Sequence, residues 1–413
     1  MVDRVESMVT PDLNQVHRIL HVIPTLGSGG AERVLLTYLS QPALKQGFQH
    51  LVVLTDVADP HSERPETFLV SLLEEQGVEV IGLGLPGSRN ILKSTVALRR
   101  LIRERKIDLV HSQLVWANLS GRLAGRWSGV PVIASFHSTD YAPEAIQSFK
   151  IPKWKQGLIR RIDGFTTRWF VKKSIAVSQY VASHIEAELR LDHSKIQVVY
   201  NPIDFRQVRP SCNSARKKIF EELNLEESTK LILSVGRVIQ SKGFMELVEA
   251  FSRLDPSVSA YLAIVGAQLD SQHLAKLQTL ISEKKLESKI FLAGERRDVS
   301  DWLSAADIFA FPTKYEGLGI ALAEAMAAGL ASVASDVGPI PELICPEQTG
   351  ILYPLNDVDA LANSITRLLI NDELRKNLSE NGQKSILEKF DPIKKSQEMA
   401  VLYLTVIQNH ERS

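Results

Sequence analysis

Short apolar runs alternate with amphipathic helical stretches along most of the chain. The run HRILHVIP, starting at His17, leads through a glycine-containing loop into the helical pattern AERVLLTYLS. Comparable runs recur at 51–56, 78–83, 107–112, 131–137, 174–178 and 196–201, and again at 231–236, 260–266, 290–294, 307–312 and 331–335. Apolar strands separated by helices are typical of a parallel sheet covered on both faces. The sequence therefore predicts an α/β fold.

The alternation pauses at 201–214, where NPIDFRQVRPSCNS contains two prolines and several turn formers. We expect a linker there, between two doubly wound domains at 1–205 and 206–385, with a C-terminal helix at 386–413. The apolar end of that helix, MAVLYLTVI, is too long to leave exposed, so we predict that it packs back across the domain junction. Open α/β sheets bind ligands at the carboxyl ends of their strands, which places the expected site in the cleft between the domains.

The composition excludes several classes of protein. At 413 residues the chain is too long for one ordinary core. Its 48 basic and 48 acidic residues balance, whereas nucleic-acid binding requires a basic excess, so we expect no nucleic-acid partner. Two distant cysteines favour a reducing compartment, the polar N-terminus does not fit a signal peptide, and no apolar run is long enough to span a bilayer. We expect a cytoplasmic protein, at most peripheral to the inner face of the membrane.

The segment 311–330, FPTKYEGLGIALAEAMAAGL, combines a strand end, a glycine-containing turn and an alanine-rich helix. Backbone amides at the start of a helix lack intrahelical partners and favour a phosphate or another anion. Glu316 stands in the turn and Glu324 lies about a turn and a half into the helix. We interpret the segment as a donor pocket for a nucleotide sugar, and a well-capped surface helix with two solvated glutamates is the alternative. The amides concerned are those of Gly317, Leu318, Gly319 and Ile320.

Two further loops carry groups suited to phosphate binding. In SVGRVIQSKGF, Arg237 follows the first strand of the second domain and Lys242 precedes its helix. Such a pair can hold a diphosphate and stabilise the negative charge of a leaving nucleotide, and solvated loop cations are the alternative. Gly29 and Gly30 would let the backbone approach a ligand closely, with a tight turn as the alternative. Glu32 stands where a dinucleotide-binding fingerprint needs its third glycine.

Together these motifs resemble the retaining glycosyltransferases of family 4, which have the GT-B fold. The resemblance rests on GGAER from Gly29, on GR and KG at Arg237 and Lys242, and on the spacing E-x-x-x-x-x-x-x-E between Glu316 and Glu324. AVSQYVASHI, VVYNPID, ADIFAFPT and PELI support it, and it extends over nearly the whole chain. It implies two Rossmann-like domains facing across a cleft, with a nucleotide-diphosphate sugar held mainly by the second domain and an acceptor held by the first.

The resemblance assigns roles residue by residue. Arg237 and Lys242 would contact the diphosphate, and Glu324 would accept hydrogen bonds from the ribose hydroxyls. Glu316 would hold hydroxyls of the donor sugar. His137, at the end of a first-domain strand, would also reach that sugar, and His111 is the reserve candidate. The candidate catalytic residues are therefore Glu316, His137, Arg237 and Lys242, and the candidate donor-binding residues are Gly29, Gly30, Arg237, Lys242, Glu316, Gly317, Leu318, Gly319 and Glu324.

Two departures from the family pattern restrict this transfer of roles. The family often has a double glycine before its PE, whereas this chain reads VGPIPE at 337–342, a change that would reshape one rim of the donor pocket. His137 is followed by Ser138 and Thr139, so sugar or acceptor contacts at those two positions do not carry over.

The implied mechanism is front-face displacement at the anomeric carbon, with an oxocarbenium-like transition state and retained configuration. Asp357 and Asp359 fit the letters of a D-x-D metal motif, but they follow Pro354 and start a helical pattern, so we interpret them as a helix cap. We therefore expect metal-independent transfer without a cofactor. The nucleotide-diphosphate sugar is the co-substrate, and the resemblance favours UDP.

A basic and aromatic stretch at 149–173 stands apart from this site. It suits an anionic membrane surface and a lipid-linked acceptor, and a solvated basic helix is the alternative. Asp163 is the one acidic residue that opposes its cations. The stretch contains Lys150, Lys153, Lys155, Arg160, Arg161, Arg168, Lys172 and Lys173, with Trp154, Trp169 and Phe170 among them.

We predict a retaining, metal-independent hexosyltransferase that moves a sugar from a nucleotide-diphosphate donor to an acceptor hydroxyl. Polysaccharide, glycolipid or lipid-linked glycan synthesis is the expected context. Two alternatives stay open, a sugar-nucleotide epimerase of GT-B build, which would need no acceptor, and a catalytically silent GT-B binding subunit. The second alternative is disfavoured, because a catalytically silent subunit would not need all four of Arg237, Lys242, Glu316 and Glu324.

Overall fold

The computed structural model describes residues 15–27, 29–86, 90–142, 153–205, 212–255, 258–268 and 270–412. The polar N-terminus, Ser28 of the first glycine loop, Lys150, the side chain of Lys153 and residues 206–211 of the expected linker lie outside the described residues. The chain forms two compact units, Met1–Pro202 with Phe390–Ser413, called unit 1 here, and Ile203–Lys389, called unit 2. The sequence-based boundaries were 205/206 and 385/386.

Unit 1 contains a seven-stranded parallel sheet among its described residues, with strand order β3-β2-β1-β4-β5-β6-β7. Its five central strands are buried almost throughout, because helices cover both faces and exclude water from the apolar runs, whereas the two edge strands are mostly half-buried. The strands are β1 His17–Ile23, β2 Phe48–Leu54, β3 Glu79–Gly82, β4 Leu109–Gln113, β5 Val132–Phe136, β6 Lys173–Ala176 and β7 Ile196–Val198. The helices are α1 Gly30–Leu39, α2 Pro42–Lys45, α3 Val70–Glu74, α4 Ile91–Glu104, α5 Val115–Ser128, α6 Lys153–Phe170, α7 Gln179–Leu189 and, from the end of the chain, α15 Pro392–Glu411.

Unit 2 contains a six-stranded parallel sheet among its described residues, with strand order β10-β9-β8-β11-β12-β13. The sequence analysis did not predict the strand Ile351–Tyr353, because its three residues, ILY, are too few to show a hydrophobic period. The strands are β8 Lys230–Val235, β9 Ala260–Val265, β10 Ile290–Gly294, β11 Ile308–Phe311, β12 Ala331–Ser335 and β13 Ile351–Tyr353. The helices are α8 Asn213–Leu223, α9 Phe244–Phe251, α10 Ser271–Glu283, α11 Val299–Ala305, α12 Ile320–Ala327, α13 Val358–Ile370 and α14 Asp372–Lys389.

The predicted α/β class with two doubly wound sheets is confirmed. In each sheet the strand order reverses between two central neighbours, β1 and β4 in unit 1 and β8 and β11 in unit 2. Such a switch point leaves a crevice at the carboxyl ends of the strands, because the connections on either side run in opposite directions. The loops after these strands are therefore where each unit can hold a ligand.

The final helix, α15, belongs to unit 1. It begins at Pro392, since Asp391 caps it by accepting hydrogen bonds from the amides of Ile393 and Lys394 and proline suits the first helical position. Its apolar run is buried, as at Met399 and Tyr403, and the helix contacts α1 and α2. The expectation that it crosses the domain junction stays a prediction.

Candidate functional site

Two loops meet at the switch point of unit 2. The loop after β8 and the loop after β11 leave neighbouring strands, since β8 and β11 pair directly. The Lys314 amide donates a hydrogen bond of 2.8 Å to the Ser241 carbonyl, and the Thr313 hydroxyl oxygen lies 3.3 Å from the same carbonyl oxygen. The motif containing Lys242 and the motif containing Glu316 therefore form one structure, although 74 residues separate them in sequence.

Gly243 allows the loop after β8 to lie close against the loop after β11. Its φ angle is +68°, a conformation that residues with a Cβ rarely adopt, and a Cβ there would lie 1.8 Å from the Pro312 carbonyl oxygen. A similar approach occurs at Gly266, where a Cβ would lie 1.9 Å from the Gly236 carbonyl oxygen. The glycine in the KG motif is thus required by the packing of the two loops as well as by backbone conformation.

Lys242 and Glu316 form a half-buried ion pair between the loops. The Lys242 ammonium contacts the Glu316 carboxylate at Oε1, and the Thr313 hydroxyl donates to the same oxygen at 3.1 Å. The ammonium also lies 5.7 Å from the centre of the Phe311 ring, a distance suited to a cation–π contact. These contacts hold both charged groups at the crevice instead of leaving them as solvated loop side chains.

Helix α12 begins beside this pair. Its N-cap, Gly319, has a φ angle of +97°, and a Cβ there would lie 3.0 Å from the Ile340 side chain, so glycine is favoured for two independent reasons. Within the described part of the chain, the amides of Leu318 and Gly319 have no hydrogen-bond acceptor. Unpaired amides at a helix N-terminus can bind an anion, and anion binding at 317–320 stays a prediction.

Arg237 and Glu324 complete the predicted set in unit 2. Arg237 directly follows the loop glycine after β8, is exposed, and has no ion-pair partner in the portion of the chain that the structure describes. Glu324 is half-buried in α12, just over one turn from its start. The structure therefore gathers Lys242, Glu316 and the helix start at one crevice, with Arg237 on the strand end that borders it.

Unit 1 holds the predicted histidines. His137 follows β5, and its Nε2 lies 3.0 Å from the Gln113 side-chain oxygen. Burial lowers the pKa of His137 to about 4, so the imidazole is neutral near pH 7. His111, the reserve candidate, is fully buried with Nδ1 2.6 Å from the Tyr403 hydroxyl and Nε2 2.7 Å from the Ser135 hydroxyl. With both ring nitrogens occupied, His111 serves the packing of unit 1.

The first glycine loop differs from the expectation for a phosphate site. Gly29 caps α1 and both Gly29 and Gly30 are exposed. The Glu32 carboxylate folds back over this helix start, where it accepts a hydrogen bond of 3.2 Å from the Thr25 hydroxyl and lies against the Gly29 backbone. A carboxylate near a helix N-terminus is itself stabilised there and would compete with a phosphate. Donor binding by Gly29 and Gly30 stays a prediction.

Asp357 of the D-x-D sequence caps a helix, as predicted. The Asp357 carboxylate accepts a hydrogen bond of 2.9 Å from the Ala360 amide at the start of α13, and Asp359 pairs with Arg253. Among the described residues, no group of three or more histidine, cysteine or acidic side chains is arranged to hold a metal ion.

Sequence reasoning missed the residues that tie the two loops together. Thr313 and Ser241 act through a hydroxyl and a carbonyl that no motif marks, and their roles depend on which strands are neighbours. The KG motif did include Gly243, but the sequence could not show that a Cβ there would collide with the Pro312 carbonyl.

The fold and this crevice define a GT-B glycosyltransferase, and comparison with known proteins agrees. A family model for Glycosyltransferase Family 4 matches residues 28–207, and one for Glycosyl transferases group 1 matches residues 215–385. The two models together account for most of the chain. The protein belongs to glycosyltransferase family 4.

Two relatives and one solved structure illustrate what the chain is similar to. The chain is 27% identical over 331 residues, 77% of its length and 80% of the relative's, to the UDP-Gal:alpha-D-GlcNAc-diphosphoundecaprenol alpha-1,3-galactosyltransferase of Escherichia coli. It is 25% identical over 385 residues, 90% of its length and 95% of the relative's, to a Campylobacter jejuni 4-alpha-N-acetylgalactosaminyltransferase that acts on a diphospho-undecaprenol-linked sugar. Anabaena HepE in complex with UDP and glucose shares the fold, with a TM-score of 0.81, 21% identity and coverage of 94% of this chain and 99% of HepE.

Proposed function

We propose that the protein transfers a hexosyl unit from a UDP-sugar to a hydroxyl of a lipid-linked glycan, with retention of configuration and without a metal ion. One observation carries the proposal. At the switch point of unit 2, Lys242, Glu316 and the start of α12 converge on one crevice, held together by the contacts of Ser241, Thr313 and Gly243.

The donor's diphosphate would lie at the start of α12. Lys242 has three N–H donors, so it can keep its contact with Glu316 and still donate to a phosphate oxygen. Arg237 would add a planar pair of donors, and the amides of Leu318 and Gly319 would complete the contacts. These groups would stabilise the charge that develops on the leaving diphosphate, which is where catalysis by positioned charges is most effective.

Two carboxylates would position the rest of the donor. Glu324 would accept hydrogen bonds from the ribose hydroxyls, and Glu316 would accept from hydroxyls of the sugar. Glu316 is already bonded at Oε1 to Lys242 and Thr313, so its carboxylate is held in place where it can accept a hydrogen bond from the sugar. This arrangement supports front-face displacement, in which the leaving diphosphate helps to deprotonate the acceptor. His137 keeps its predicted role at the donor sugar, as a neutral imidazole.

The choice of donor and acceptor rests on the relatives. The Escherichia coli relative is named for UDP-Gal and for an acceptor on diphosphoundecaprenol, and the Campylobacter jejuni relative is named for an acceptor on the same kind of lipid carrier. The lipid carrier implies work at a membrane surface, so we place the protein peripherally on it. The transfer assay would identify the hexose of the donor and the linkage that the protein forms.

Thermal unfolding with added nucleotides tests donor binding. UDP and UDP-sugars should raise the melting temperature of the wild-type protein, because a ligand bound only to the native state stabilises it by mass action. The Lys242→Ala variant should lose this rise, whereas Lys217→Ala should keep it, since Lys217 is an exposed lysine on α8 whose ion pair with Glu221 is within one helix. A full rise in Lys242→Ala would refute the assignment of the diphosphate to this crevice.

A release assay tests the reaction itself. UDP release that depends on a diphosphoundecaprenol-linked sugar supports transfer, and NMR of the product should show the anomeric configuration of the donor. Formation of an epimer without any acceptor would show the epimerase instead. No release from any donor or acceptor, together with nucleotide binding, would show a silent binding subunit.

A further inference from the structure

Helix α6 is fixed to unit 1 by one face. On that face, the Asp163 carboxylate pairs with the fully buried Arg122 of α5 and accepts a hydrogen bond of 2.7 Å from the Tyr141 hydroxyl. Gly164 lies so close to the Leu189 carbonyl at the end of α7 that a Cβ would be 3.0 Å from its oxygen. Asp163, the one acidic residue of the basic stretch 149–173, is therefore paired with a buried arginine and does not offset the positive charge on the surface of α6.

The opposite face of α6 presents apolar side chains to solvent. Surface helices of globular proteins normally direct their apolar stripe inward, whereas these side chains are between two-fifths and seven-tenths exposed. They recur every three or four residues, so they form a single stripe within about 80° of the helix circumference. They are Trp154 with 69% exposure, Leu158 with 51%, Ile162 with 41%, Phe165 with 56% and Trp169 with 67%.

Positive charge borders this stripe on both sides. At about 100° per residue, Arg161 lies beside Trp154 on one edge and Lys155 beside Ile162 on the other, and both basic side chains are exposed. Lys172, just beyond the helix, is exposed as well. On this side of α6, the exposed charged side chains that the structure describes are basic. Asp163 is turned inward, and Glu188 of α7 pairs with Arg160, which lies on a different side of the helix.

We propose that this face of α6, which presents Trp154, Phe165 and Trp169 between the flanking Lys155 and Arg161, docks onto an anionic lipid bilayer. Indole rings favour the headgroup region of a bilayer, and an apolar stripe with basic borders lies in that interface with its charges on the phosphates. The basic borders match an anionic surface, whereas a dimer formed through this face would bring like charges together. Among the described residues, no helix combines the length and apolarity needed to cross a bilayer. The surface deepens the proposed function, since it rests on the lipid-linked acceptor proposed above.

Vesicle sedimentation of the full chain, without donor or acceptor, tests the docking. The wild-type protein should pellet with vesicles of equal parts phosphatidylcholine and phosphatidylglycerol, and at least about tenfold less with phosphatidylcholine alone. High salt should weaken the binding.

Two double variants test which side chains bind the vesicles. We expect binding to fall at least about tenfold in Trp154→Ser with Trp169→Ser, and likewise in Lys155→Glu with Arg161→Glu. Trp127→Ser is the matched control, a 45%-exposed tryptophan on α5 that should have no effect.

The same variants separate docking from donor binding. All of them should keep the wild-type melting temperature and its rise with UDP, because the substituted side chains are exposed and lie in unit 1. Equal pelleting with both vesicle types, or wild-type binding by the double tryptophan variant, would overturn the proposal. So would light scattering that shows a dimer in the absence of vesicles and a monomer in the double tryptophan variant, because the face would then join two copies of the chain.

Discussion

Replacing Gly243 by alanine tests whether the contact between the two loops of unit 2 builds the donor site. The new methyl group would lie 1.8 Å from the Pro312 carbonyl oxygen, whereas ordinary van der Waals contact begins near 3.4 Å. The backbone of both loops must therefore separate by about 1.5 Å. Lys242, adjacent in sequence, would move with its loop and away from Glu316 and the start of α12.

The effect on activity should exceed the effect on stability. The φ angle of +68° adds a conformational cost of about 1 kcal/mol for alanine. A displacement of about 1 Å in a group that positions the reacting atoms reduces the rate roughly a hundredfold. We therefore expect kcat/KM to fall about a hundredfold while the protein stays folded.

Gly129→Ala is the control for this variant. Gly129 has a φ angle of +71° and nothing within 4 Å of the added methyl group, so alanine there incurs the conformational cost without the collision. Measured by UDP-dependent thermal shift and by transfer, Gly129→Ala should resemble the wild type and Gly243→Ala should lose the UDP response. An unchanged UDP response in Gly243→Ala would show that the loop contact does not position the diphosphate.

Three further outcomes are expected. Burial lowers the pKa of His50 to about 4 and that of His111 to about 3, so the unfolded chain takes up protons below pH 6.5 that the folded chain does not. The free energy of unfolding should therefore fall by about 1.4 kcal/mol per pH unit for each histidine between pH 6.5 and about 4, and constant stability from pH 7 to 5 in denaturant titrations would contradict this. Tyr403→Phe removes the hydroxyl bonded to His111 and should cost about 1–3 kcal/mol of stability in the same titrations, whereas Tyr261→Phe should cost little, because the half-buried Tyr261 of β9 makes no hydrogen bond through its hydroxyl among the described residues. Transfer should continue in excess chelator, and activity that is lost and then restored by magnesium would show a metal requirement.

Some features followed from local sequence because their cause is local. Short apolar runs such as 231–236, ended by glycine, predict buried parallel strands, since a sheet covered on both faces needs apolar residues at successive positions. Asp357 was recognisable as a cap because capping involves a side chain and an amide three residues away. The strand β13 was not recognisable, because three residues cannot show a period and its pairing with β12 is non-local.

At the candidate site, too, the sequence predicted the kinds of groups and the tertiary structure decided which of them meet. The chemistry of Lys242, Glu316 and the glycine turn could be read from residue types, but their meeting could not. It depends on β8 and β11 being neighbours, a result of how the whole sheet assembles. Similarly, the sequence shows Asp163 among basic residues, and only packing against α5 reveals that it neutralises the buried Arg122.

The sequence by itself thus determined the succession of strands and helices, the two-sheet class and the kinds of groups near each strand end, because propensity, burial period and capping act over a few residues. Tertiary structure alone decided that Pro312 requires glycine at 243, that Glu32 occupies the first helix start, and that the aromatic face of α6 points outward. Each of these depends on which surfaces the folded chain brings into contact, and contacts between distant segments are set by the packing of the whole domain.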